Sequence, residues 1–170
     1  KEISREIING DYHHIETSYG NILNILKGEK LLKYDKEITG SVIAATYAHA
    51  TFLERIELNN NHILVIGDRG AILEYAIDSK VKLIILVADS EIRPDLLAKA
   101  KKNKINIIKT SLNSYEVNKL LSLSNYIKNI MRKEASHTFN EVDYLSDFYE
   151  KSRTLKHTNY PILNRNNECK

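Results

Sequence analysis

The middle of this 170-residue chain predicts an α/β fold built on a parallel sheet. Three short β-branched runs, His62–Ile66, Lys82–Val87 and Ile105–Ile108, follow one another about one βα unit apart. Each is too short and too β-branched for a helix. Two are almost continuously apolar, as strands covered on both faces must be. Between them, Ala71–Ser79 and Pro94–Lys102 repeat apolar residues at helical spacing. Strand, helix, strand, helix, strand makes a right-handed parallel unit.

The other elements follow in chain order. Lys1–Ile8 aligns Ile3, Ile7 and Ile8 on one helical face. It lacks an N-cap, so it reads as the end of a longer helix. Thr17 or Ser18 caps a second helix carrying Ile22, Leu23, Ile25 and Leu26, with Gly28 near its end. Lys33–Lys36 is a polar loop, and Ile38–Ala45 a strand in which Gly40 marks a bulge. His49–Glu57 forms a short helix and Asn59–Asn61 a turn. After the parallel unit, Ser114–Leu121 adds a helix with Val117, Leu120 and Leu121 inward. Lys99, Lys101 and Lys102 close their own helix as complements to its dipole.

Beyond Ser124 the pattern changes. Asn125–Met131 is a connector and Thr138-Phe139 a brief extended stretch. Glu141–Arg153 is a helix, and Tyr160–Leu163 a strand closed by the turn Asn164–Glu168. Such a strand and turn expect an antiparallel partner. Both termini therefore read as cut edges.

Composition narrows the function. Hydrophobic residues make up 42% and the formal charge is +3. The charges are interspersed, so no basic face offers itself to nucleic acid. No apolar run is long enough to cross a membrane, and no signal pattern opens the chain. The lone Cys169 cannot form an internal disulfide, which fits a reducing, cytoplasmic setting.

Motifs that carry chemistry are scarce. Gly67-Asp68-Arg69 follows a strand and precedes a helix, where α/β sheets favour ligands. It is neither a GxGxxG turn nor a P-loop, and Asp68 reads as a helix cap. Asp11-Tyr12-His13-His14 lacks the convergent spacing of a metal site. Catalytic and metal-ligating sets are both unassigned. Lys156–Pro161 sets two cations and the Tyr160 ring at a strand entrance. Tyr160 can stack on a purine, or pack on Phe148.

The C-terminal segment resembles part of a CBS domain. Asn129-Ile130-Met131, Phe139, a helix from Asp143, and Asn159-Tyr160-Pro161-Ile162-Leu163-Asn164 follow that family's order across about 125–170. Residues from about Gly40 to Leu123 resemble a DRTGG domain through Gly40, Gly67-Asp68-Arg69, Ile84–Val87, Pro94 and Thr110. The family's Thr-Gly-Gly is replaced here by Val87-Ala88-Asp89-Ser90. The expected organisation is the end of a first CBS domain and a linker helix over 1–36, a DRTGG domain over 37–124 and a partial second CBS (α+β) domain over 125–170.

That order resembles the regulatory insert of the CBS-containing, manganese-dependent (family II) inorganic pyrophosphatases. The resemblance implies a homodimer that senses AMP, ADP, ATP or a diadenosine polyphosphate. Lys133, Ala135, His137, His157, Asn159, Tyr160 and Pro161 occupy positions that contact nucleotide in that family. Manganese and the catalytic residues would belong to domains outside these residues. Two alternatives stand beside this reading, a sensor module of a transcription regulator and a purely structural dimerisation domain.

Overall fold

In a computed structural model, residues 11–45, 52, 56–129, 137–155 and 159–169 are described. The expected helix over Lys1–Ile8, most of the one over His49–Glu57, and Lys133, Ala135 and His157 lie outside these residues. The chain divides into two compact units, Lys1–Ile130 and Met131–Lys170.

The first unit is an α/β fold. Its elements are β1 (Asp11–Ser18), α1 (Tyr19–Ile25), β2 (Glu29–Leu32), β3 (Glu37–Ala44), β4 (His62–Ile66), α2 (Gly70–Asp78), β5 (Leu83–Leu86), α3 (Pro94–Lys102), β6 (Asn106–Lys109) and α4 (Ser114–Ser122). The sheet order is β1-β3-β4-β5-β6-β2. Strands β3 to β6 are parallel, and the two edges, β1 and β2, are antiparallel to their neighbours.

Side-chain alternation divides the core between the two faces of the sheet. Leu64, Ile66, Ile84, Leu86 and Ile107 face α2 and α3 through Ile72, Ile77, Leu96 and Ala100. Ile63, Val65, Leu83, Ile85 and Ile108 face α1 and α4 through Tyr19, Ile22, Val117 and Leu121. Leu120, expected inward, is half-buried.

Both edge strands escape the sequence reading. In β1 the inward side chains include Ile15 and the polar Thr17, both fully buried. In β2 only Leu32 is buried. Pairing with β3 and β6, rather than an apolar pattern, makes these segments extended.

Gly40 is not a bulge, for it pairs with Ile15 in unbroken register. Glycine is needed because the chain crosses closely there. A Cβ would lie 2.5 Å from the Asn61 carbonyl oxygen, which accepts the Ser41 N–H at 2.7 Å. Ser18, rather than Thr17, caps α1, its hydroxyl accepting the Asn21 N–H at 3.1 Å.

Three helices end in the same way. After α1, α2 and α3, the residues Lys27, Lys80 and Lys104 adopt left-handed backbone (φ 47°, 54° and 55°). Gly28, Val81 and Ile105 then donate N–H bonds back to Leu23, Ala76 and Ala100 carbonyls. This is the Schellman arrangement with lysine where glycine is usual.

The second unit contains β7 (Phe139–Asn140), α5 (Leu145–Ser152) and β8 (Ile162–Leu163). β7 and β8 are parallel, and Leu163 forms an antiparallel bridge with Cys169 across the expected turn. In that turn the Asn164 side chain accepts the N–H groups of Asn166 and Glu168 at 2.9 Å each. The helix expected from Glu141 starts at Leu145, because 141–143 form a turn in which Asp143 accepts the Asn140 N–H at 2.8 Å. The strand expected from Tyr160 narrows to Ile162–Leu163.

Candidate functional site

The carboxyl ends of the parallel strands are closed by their own backbone. Gly67 lies against the loop after β5, 3.6 Å from the Ser90 hydroxyl to an added Cβ. That loop replaces Thr-Gly-Gly with residues in a glycine-like conformation, since Ala88 and Asp89 have φ of 52° and 54°. Their N–H groups donate to the Leu112 and Thr110 carbonyls at 2.8 and 3.0 Å. These two amides are therefore engaged and cannot cradle a phosphate. Thr110 is buried, and its hydroxyl donates to the Leu26 carbonyl at 2.9 Å, tying β6 to the end of α1. Asp68 does not cap α2. The N-cap position is Arg69, with no capping side chain.

The sequence-derived candidates gather instead in the second unit. Phe139 pairs with Ile162, and the Phe139 N–H donates to the Pro161 carbonyl at 3.1 Å. Asn159 and His137 are exposed, while Tyr160 and Pro161 are half-buried. Tyr160 and Pro161 thus lie against Phe139, and His137 and Asn159 precede the paired residues of β7 and β8.

Tyr160 has two relations at once. Its ring meets Phe139 and Phe148 edge-on, with centroids 5.4 and 5.8 Å apart. Part of its surface remains open to solvent. An aromatic cluster of this kind fixes the ring in place. A pocket of about 280 Å³, lined by Phe139, Asp143, Tyr144, Leu145, Phe148 and Ile162, shares Phe139 and Phe148 with this cluster. The sequence pointed to Asp143 only as a helix start. The pocket-lining role of Leu145 left no signal, because helical periodicity sets it on one face with Val142, Phe148 and Tyr149, and Tyr144 lies off that face.

They are not core. Tyr144 is 77% exposed, Leu145 67% and Tyr149 59%. Among the described residues, no group of three or more His, Cys, Asp or Glu side chains could hold a metal ion. His14, from the unassigned Asp-Tyr-His-His run, is exposed with Nδ1 3.4 Å from the Ser41 hydroxyl. No helix among the described residues is long and apolar enough to cross a membrane.

The sheet order and the loops after β4 and β5 meet the family comparison at this point. The DRTGG domain family matches residues 21–124. The chain belongs to that family. It is also 27% identical over 154 residues to the cobalt-dependent inorganic pyrophosphatase of Clostridium perfringens (strain 13 / Type A), covering 89% of this chain and 28% of that protein. The chain thus spans well under half of that relative. A crystal structure of the CBS and DRTGG domains from the regulatory region of Clostridium perfringens pyrophosphatase, complexed with its activator diadenosine tetraphosphate, superposes with a TM-score of 0.75. It is 27% identical, and the match covers 91% of this chain and 67% of that one. The α/β fold and its mixed sheet match that regulatory region. The resemblance in sequence implied manganese, whereas the relative's name specifies cobalt.

Proposed function

We propose that this DRTGG-family chain is the adenine-nucleotide-sensing regulatory part of an inorganic pyrophosphatase. The metal-dependent hydrolysis of diphosphate to phosphate takes place in domains outside these residues. The observation that carries this reading is the match, over 91% of the chain, to a regulatory region crystallised with a diadenosine activator. The parallel pairing of β7 with β8 in the second unit supports it.

On this reading Tyr160 stacks on the adenine ring. His137, Asn159 and Pro161, with Lys133, Ala135 and His157, contact the remainder of the nucleotide. Stacking of a base on an aromatic ring contributes about 1–3 kcal/mol. The working assembly is a homodimer with two global states. The ligand changes activity only through its different affinity for those states.

Isothermal titration calorimetry with AMP and with diadenosine tetraphosphate, on the intact protein containing this region, tests the assignment. Binding is expected, and Tyr160→Ala weakens it by about tenfold or more, as loss of one stacked base requires. Unchanged affinity in that variant removes Tyr160 from the site. Absence of binding by the parent protein removes the proposed function. A melting temperature that does not respond to nucleotide leaves the structural dimerisation alternative standing.

A further inference from the structure

Strand β1 and the outgoing segment 124–129 lie side by side. Strand β1 follows directly on residues 1–10, and residues 124–129 lead on to the C-terminal unit. Strand β1 is an edge of the sheet, and an edge strand offers unpaired backbone groups. At Glu16 both groups are taken by the outgoing segment. The Glu16 N–H donates to the Asn125 side-chain oxygen at 2.8 Å, and the Glu16 carbonyl accepts the Tyr126 N–H at 3.1 Å.

Further polar contacts surround this pair. Lys128 forms an ion pair with the Glu16 carboxylate. The Tyr126 hydroxyl donates to Glu37 Oε2 at 2.7 Å. The Asn21 amide donates both to the Ser124 carbonyl at 2.9 Å and to the Thr17 hydroxyl at 3.0 Å. Apolar burial contributes little here, for Leu123 is 68% and Ile127 76% exposed. A segment held mainly by part-buried and exposed polar bonds, with little apolar burial, opens at lower cost than the sheet core beside it.

We infer that residues 124–128 form a releasable clasp on β1, which fixes the outgoing connection to the edge of the sheet and carries the nucleotide response into the α/β unit. This inference rests on the proposed function. A closed clasp makes residues 124–128 move with the sheet edge, and an open clasp lets them move apart from it. Asn125 and Tyr126 are positioning residues in this scheme and touch no ligand.

The test uses the intact protein and the double variant Asn125→Ala with Lys128→Ala. Amide hydrogen exchange at Glu16 and Tyr126 is expected to rise by about tenfold or more, because both bonds become easier to open. Nucleotide binding, followed by calorimetry with diadenosine tetraphosphate, still saturates. The factor by which that nucleotide changes diphosphate hydrolysis falls toward one, by about threefold or more. Lys128→Ala alone, which keeps both backbone bonds, shows the same direction with a smaller change and serves if the double variant does not fold. A nucleotide response of wild-type size with exchange raised overturns the clasp as a transmitter and leaves the proposed function standing. A wild-type protein that binds no nucleotide overturns both.

Discussion

Asn106 gives the most direct test of how the α/β unit is held together. It is the first residue of β6 and fully buried. Its oxygen accepts the N–H groups of Tyr34 and Asp35 at 2.8 and 3.0 Å. Its amide nitrogen donates to Asp35 Oδ2 at 2.9 Å and to the Lys82 carbonyl at 2.8 Å. One side chain thus joins the loop after β2 to the start of β5. Asp35 also pairs with Lys82 at 3.0 Å. Burial raises the affinity of the Asp35 carboxyl for its proton, but the Asn106 amide and the Lys82 ammonium together outweigh it and hold the pKa below the ordinary value. The stability from Asp35 is therefore present above its unfolded pKa of about 3.9 and lost as pH falls through the lower folded value.

Asn106→Ala removes all of these bonds, each with a net value of about 1 kcal/mol. Water reaches the exposed Tyr34 side and recovers part of the loss. The expected destabilisation is about 3 kcal/mol, read as a shift of the urea midpoint followed by circular dichroism. Asn106→Asp sharpens the test. At neutral pH it sets a second carboxylate against Asp35 and the Lys82 carbonyl, so it is less stable than the alanine variant. Acidification that protonates the new carboxyl closes that gap. An Asn106→Ala midpoint shift worth less than about 1 kcal/mol refutes the idea that this side chain holds the loop.

Gly40→Ala places a methyl group against the Asn61 backbone and is expected to cost about 2 kcal/mol in a thermal melt, since this backbone must move. Tyr19 is 1% exposed, and burial pushes its hydroxyl up to about 12 from the usual 10. Its stabilising contribution is complete below pH 10 and lost as pH rises through 12. In urea titrations across that range, Tyr19→Phe should lose less stability than wild type, by an amount on the order of 2 kcal/mol. The Tyr19 hydroxyl also donates to the Ile107 carbonyl at 3.0 Å, so the same variant costs about 1 kcal/mol at pH 7. Lys80→Gly and Lys104→Gly relieve left-handed strain of about 1–2 kcal/mol each. Glycine's greater freedom in the unfolded chain and loss of the lysine–dipole attraction offset part of this. The pair should raise stability by about 1 kcal/mol, measured as an increase in Tm.

Local pattern determined the centre of this protein. His62–Ile66, Leu83–Leu86 and the two helices between β4 and β6 were legible because burial on both sheet faces leaves continuous apolar runs and helical stripes. The second unit was legible as an order of small elements, with limits two to four residues too wide at α5 and β8. Tertiary structure alone decided the edges. Strand β1 carries a buried threonine and outward polar residues, so only the unpaired edge of β3 makes it a strand. It also decided that Gly40 answers to the Asn61 carbonyl and that Asn125 reaches Glu16 across 109 positions of sequence. Such contacts join residues distant along the chain, and their hydrogen bonds leave no periodic trace in the sequence.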